Sequence, residues 1–228
     1  MKSTIIAQKN VEKSLKRLYN NMYKKVSACV YNYSKLARDM NGEWSMVLIN
    51  GRDLTVEEVI RVCRNDEEVK LTGEAEKNVQ KARDYIEKKL AEKAVIYGLT
   101  TGFGKFSNVV ISNEETEKLQ RNLIISHTCS MGEAYPREQV RAAMLLRCNA
   151  LARGNSGIRL STLKTLIDML NRGVHPVVPQ KGSLGASGDL APLSHIALGL
   201  IGEGKAEYKG EVITASKACL LYTSPSPR

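Results

Sequence analysis

The sequence is poor in the patterns that would place it in several common classes. Its five cysteines, Cys29, Cys63, Cys129, Cys148 and Cys219, include no CxxC pair, and an odd number argues against a closed disulfide framework. They read as reduced thiols, which points to the cytoplasm. His127, His175 and His195 stand far apart, none within an HExxH or a Cys/His cluster, so no metal site is expected. The longest strongly apolar run, Ile196 to Ile201, falls far short of the roughly 20 residues that cross a bilayer, so no membrane partner is expected. Phe and Trp are scarce as well, at two and one residues, which leaves aliphatic side chains to build the core.

What is present suffices for a globular protein: 43% hydrophobic and 25% charged residues over 228 positions. The net charge of +10 is unevenly spread. Residues 1–45 hold seven Lys and two Arg against Glu12, Asp39 and Glu43, a surplus of +6 that leaves +4 for the remainder. The globular part is thus only mildly basic, and no nucleic acid partner is expected for it. Within the extension, Val11, Leu15, Leu18, Met22, Val26, Val30 and Leu36 approximate a helical stripe. It is read as an accessory segment outside the main domain.

At Met46 the texture changes. Met46 to Arg52 alternates and turns like a short strand, and Thr55 with Glu58 forms a capping box that opens a helix to about Arg64. A second helix is expected from Glu74 to about Ala94, with Val79, Ala82, Ile86 and Leu90 on its inner face. Three more follow: one capped by Ser112 and Glu115 and reaching His127, one from Pro136 to Gly154, and one from Leu160 to Gly173. Val174 to Gly185, with Pro176, Pro179 and Gly182, reads as an irregular loop delivering the chain into a buried helix, Leu190 to Ile201, apolar almost all round. A short hairpin is expected around Tyr208 to Val212. Two prolines and three hydroxyl residues near the end suggest that 220–228 is a non-native tail. The expected organisation is therefore a basic extension over 1–45, one mostly α domain over 46–219, and the tail.

The segment Gly182 to His195, Gly-Ser-Leu-Gly-Ala-Ser-Gly-Asp-Leu-Ala-Pro-Leu-Ser-His, carries the chemistry. Gly185 and Gly188 flank Ala186-Ser187, so the backbone can fold tightly enough for the Gly188 nitrogen to approach the Ala186 carbonyl. Loss of water from that ring and from the Ser187 side chain would leave an imidazolone with an exocyclic methylene. Asp189 is placed to cap the helix opening at Leu190, with Pro192 in the first turn. The helix dipole assists by only about 0.3–2 kcal/mol, against the roughly 8–23 kcal/mol that catalysis requires. A covalent electrophile must supply the rest. A phosphate loop would instead place Lys after the glycines, where Asp189 stands.

This string closely resembles the signature of the histidine and aromatic amino-acid ammonia-lyases. Tyr97-Gly-Leu-Thr-Thr-Gly-Phe-Gly104 is similar to a loop of the same family, as are Leu119 to His127, Arg153 to Arg159 and His175 to Gly182, so the resemblance covers roughly Met46 to Ala218. It implies an all-α, fumarase/aspartase-like fold with minor short hairpins. It implies no external cofactor, the electrophile being a 4-methylidene-imidazol-5-one made from Ala186, Ser187 and Gly188 and supported by Gly185 and Asp189. It implies Tyr97 as base, His127 and Gly104 at the substrate, and Gly98, Gly102 and Gly104 as freedom for a lid. His175 and His195 are taken as structural.

The activity implied is elimination of ammonia from a small amino acid by a homotetramer. Histidine, giving trans-urocanate, is preferred; tyrosine or phenylalanine lyase and the related aminomutase stay open. Family residues expected further on, including an Asn, a Gln, a second Tyr, an Arg and a Glu, have no counterpart here, so the chain is expected to be a truncated amino-terminal part, inactive alone. A reading of another class is a non-catalytic fragment whose basic first 45 residues bind a partner.

Overall fold

A computed structural model describes residues 46–92, 94–101, 113–184 and 190–222. The expectations for 1–45, for Gly102, Gly104 and the Ser112 cap, for Gly185 to Asp189, and for 223–228 lie outside the described residues.

The chain opens with β1 (Val47–Ile49) and α1 (Val56–Asn65), followed by β2 (Val69–Leu71) and α2 (Gly73–Ala91). Val47, Ile49, Val69 and Leu71 are buried while Leu48 and Lys70 point outward, the period-two pattern of a strand covered on one face. The two strands pair in parallel, Val47 opposite Val69. Thr55 accepts from the Glu58 amide and the Glu58 carboxylate accepts from the Thr55 amide, completing the expected capping box. The Asn171 side chain brackets Val69 from the other side, accepting from its amide and donating to its carbonyl, each at 2.9 Å.

Then come α3 (Asn113–His127), β3 (Met131–Ala134), α4 (Arg137–Ala152) and α5 (Leu160–Asn171). Helix α4 is the centre of the core and packs against α1, α2 and α5. Its buried face presents Met144, Leu145, Cys148 and Leu151 to Leu163, Leu166 and Leu170 of α5 and to Val62 of α1. Burial raises the pKa of Cys63 to about 11 and of Cys148 to about 12, so both are inert thiols.

The stretch expected to be an irregular loop instead contains β4 (Val174–Pro176) and β5 (Pro179–Lys181). The prolines are accommodated by position. In the β4 pairing His175 faces Glu207, and Val177 donates to Lys205, so Pro176 falls at the intervening position where no amide is required. Pro179 is the first residue of β5, which pairs antiparallel with β3.

Helix α6 (Leu190–Leu200), expected to be buried, is for the most part half-buried. Ala191, Ile196 and Gly199 are inside, whereas Leu190 is 43% exposed. A helix apolar all round gives no sequence signal of which side its own chain will cover. The hairpin is formed by β6 (Lys205–Tyr208) and β7 (Glu211–Thr214). Its two-residue turn, Lys209-Gly210, takes positive φ at both positions, as the twist of such a hairpin demands. Helix α7 (Ala215–Tyr222) continues through the first three residues assigned to the tail, and the Tyr222 hydroxyl donates to the Gly199 carbonyl at 3.0 Å.

Candidate active site

Two of the residues singled out in the sequence, Tyr97 and His127, are described. Tyr97 opens a turn over 97–100, fixed by its threonines. The Thr100 hydroxyl accepts from the Ile96 amide at 2.8 Å and donates to the Ala94 carbonyl, while buried Thr101 accepts from the Gly98 amide. Gly98 has φ +72, which a side chain would strain. The hydroxyls hold the turn from inside and leave Tyr97 65% exposed.

His127 ends α3. Its Nδ1 lies 2.8 Å from the Leu123 carbonyl, and Ser126 Oγ donates to the same carbonyl at 2.9 Å. A carbonyl only accepts, so Nδ1 carries the proton and Nε2 of the neutral ring keeps its lone pair. The Leu123 carbonyl thus engages Nδ1 and leaves Nε2 outside this contact.

The chain is held firmly on its way to residues 185–189. His175 in β4 is 2% exposed and lies between Arg141 and Glu207. Arg141, 1% exposed, donates from Nη1 to His175 Nε2 at 2.9 Å, so the His175 proton sits on Nδ1 and goes to Glu207 at 3.0 Å. The guanidinium also donates to the carbonyls of Val62 and Leu170 and lies 3.2 Å from Asp66. Burial, reinforced by the Arg141 charge, lowers the pKa of His175 to about 4.

Beyond β5, Gly182 adopts φ +147 against Ser130, where an added Cβ would lie 2.7 Å from the Ser130 Cα. Ser130 follows His127 by three positions, so the β3–β5 pairing sets the approach to 185–189 beside the end of α3. Helix α3 also packs on α6, with Arg121 joined to Glu203 at 2.8 Å. The His127 end of α3 and the approach to the tripeptide are thus brought together. Tyr97 shares no described cleft with either, and Gly104, Gly185, Ala186, Ser187, Gly188 and Asp189 lie outside the described residues.

A cleft of about 500 Å³ borders the same segment on both sides, through Ser183 and Pro192, with Tyr135, Gln139, Leu146 and Arg147 among its other walls. Sequence reasoning missed Arg141. Its signal was its place in the apolar stripe of α4, three, four and seven positions before Met144, Leu145 and Cys148.

A family model for aromatic amino acid lyases matches residues 54–222. The chain belongs to the aromatic amino acid lyase family. It is 56% identical over 172 residues to a histidine ammonia-lyase of Alkaliphilus oremlandii, covering 75% of this chain and 34% of that protein. It is 52% identical over 172 residues to one of Clostridium tetani, with the same coverage. The chain therefore spans about a third of the length of the curated relatives it matches.

Among solved structures, histidine ammonia-lyase from Trypanosoma cruzi is similar at TM-score 0.72 and 33% identity, over 80% of this chain and 35% of that one. Ergothionase from Treponema denticola is similar at TM-score 0.73 and 36% identity, over 76% and 35%. The all-α, fumarase-like fold of the lyase family is the fold of this chain, its strands being short and peripheral in number.

Proposed function

We propose that this chain is the amino-terminal part of a histidine ammonia-lyase, with residues 46–219 as the lyase domain and 1–45 as an extension to it. The complete enzyme would remove ammonia from L-histidine to give trans-urocanate, as a cytoplasmic homotetramer. The observation that carries the reading is identity above 50% over 172 residues to several histidine ammonia-lyases, beside a family match over 54–222 that contains all the proposed site residues. Tyrosine and phenylalanine chemistry is less favoured, since the phenylalanine and tyrosine aminomutases among the similar structures are 36–37% identical, against 56% for the histidine ammonia-lyase of Alkaliphilus oremlandii.

Ala186, Ser187 and Gly188 would condense into the 4-methylidene-imidazol-5-one. The Gly188 nitrogen would attack the Ala186 carbonyl carbon with loss of one water, and the Ser187 hydroxyl would leave as a second. The residues around the segment suit a group that must be rigidly held. Ser130 Oγ is buried at the approach with no hydrogen-bond partner among the described residues, and Gly182 leaves no room for a side chain beside it. The group would supply an electrophilic methylene that takes up the substrate's amino group.

The remaining work falls to side chains of the chain itself. Tyr97, exposed at the start of its turn, would remove the β-proton. His127 would accept from the substrate imidazole through Nε2, while Gly104 would close against the substrate, with Gly185 and Asp189 supporting the electrophile. Groups expected in the missing two-thirds would bind the substrate carboxylate, so the 228-residue chain alone should be inactive.

Intact mass tests the proposal. A deficit of two water molecules, mapped to the peptide containing Ser187 and absent in Ser187→Ala, is expected. An unmodified Ser187 in a complete, assembled enzyme would overturn it.

A further inference from the structure

Three separate parts of the chain converge on a second cleft of about 560 Å³, distinct in its lining from the Tyr97 and His127 regions. The turn after β1 contributes Arg52. The face of α2 contributes Asn78, Lys81 and Tyr85, one turn apart. The turn after α4 contributes Arg153 to Gly157. Close backbone contacts fix all three parts. Gly51, at φ +87, donates its amide to Asn149 Oδ1 and lies against Arg153, where a Cβ would come within 2.4 Å of Arg153 Cγ. Gly154, at φ +74, sits on the Asn78 carbonyl, and Gly157, at φ +69, on Ile86. A side chain at any of the three would force the parts apart.

This construction gathers Arg52, Lys81 and Arg153 into one cleft whose lining includes no carboxylate. None of the three forms an ion pair or side-chain hydrogen bond with any described residue. The acids close in sequence are engaged elsewhere: Asp53 accepts from Asn50, Asp84 from Gln80, and Glu87 from Arg83. The exposed amides of Asn155 and Ser156 donate to none of the described residues. Like charges gathered at one cleft repel one another, and a multiply charged anion relieves that repulsion while pairing with the donors. The planar guanidinium groups and the ammonium match phosphate oxygens. Tyr85, 60% exposed, stands at the rim with the Lys89 ammonium 5.8 Å from the centre of one ring face, which leaves the opposite face for a base, and the cleft has the volume of a small-molecule site.

We infer that this cleft binds a nucleoside diphosphate, its phosphates among Arg52, Lys81 and Arg153 and its base against Tyr85.

The test is calorimetric titration of the 228-residue chain at low salt with ADP, pyrophosphate and adenosine. Saturable one-to-one ADP binding is expected, weakened about tenfold in both Lys81→Ala and Arg52→Ala, the loss of one hydrogen bond to a charged group. Tyr85→Ala should weaken ADP but leave pyrophosphate unchanged. Lys209→Ala, in the hairpin turn, should change neither. Lys81 and Arg52 are exposed, so their variants should fold, with circular dichroism as the check. Absence of ADP binding would overturn the inference. So would ADP binding undiminished in Lys81→Ala and in Arg52→Ala, which would place it on the basic extension, or pyrophosphate binding as tight as ADP with Tyr85→Ala silent, which would leave no role for a base.

Discussion

Arg141 Nη1 lies 2.9 Å from His175 Nε2, and this buried contact joins the central helix to the strand that leads towards the tripeptide. The same guanidinium satisfies the Val62 and Leu170 carbonyls, so one side chain fastens α1, α5 and β4 to α4. Replacing Arg141 with Leu strands these acceptors in the core. Urea unfolding should show a loss of about 3–5 kcal/mol, the usual cost of breaking a buried polar cluster at one member. Arg141→Lys should recover only part, since an ammonium cannot reproduce the fork.

The His175 ring makes stability pH-dependent. Its folded pKa of about 4 lies below the ordinary value of 6.5, so the unfolded chain binds the extra proton first as pH falls. The contribution is complete above pH 6.5 and is lost progressively between 6.5 and 4. Thermal melts across that window should show a falling midpoint. His175→Gln, which can still accept from Arg141 and donate to Glu207, should flatten the upper part of the decline; an unchanged slope would assign it to other groups.

In a version carrying the rest of the lyase, His127→Leu should lower kcat/KM for histidine by about tenfold or more, as expected for loss of a substrate hydrogen bond. Unchanged histidine kinetics would remove His127 from substrate selection.

Tyr222→Phe removes the hydroxyl that donates to the Gly199 carbonyl. A cost of about 1 kcal/mol in chemical denaturation is expected. A neutral result would mean that the end of α7 adds little to the domain.

The legible parts of the fold were those written in local chemistry. Thr55 and Glu58 announce a helix start through side chains three residues apart, and the 205–214 hairpin is readable because Lys209-Gly210 suits a tight turn. Strands β4 and β5 were hidden because Pro176 and Pro179 read as breakers until the pairing partners, far along the chain, show which amides the ladder needs. The burial of α6 was overread for a related reason: hydrophobicity reports that a surface wants cover, not what supplies it. Within the site, the Ser126-His127 pair was visible, but the proton position on the ring followed only from Leu123 lying one turn back. Arg141 was invisible as a hub because its partners, Val62, Leu170 and His175, come from three other elements.

The bracket that Asn171 places around Val69 also has a solubility consequence. A two-stranded parallel sheet carries an open flank able to template pairing with a foreign chain. The carboxamide imitates a peptide group and occupies that flank at Val69, the first residue of β2, so a foreign strand would have to displace it to pair there. Asn171 thus stands where such a strand would dock as well as closing its own hydrogen bonds.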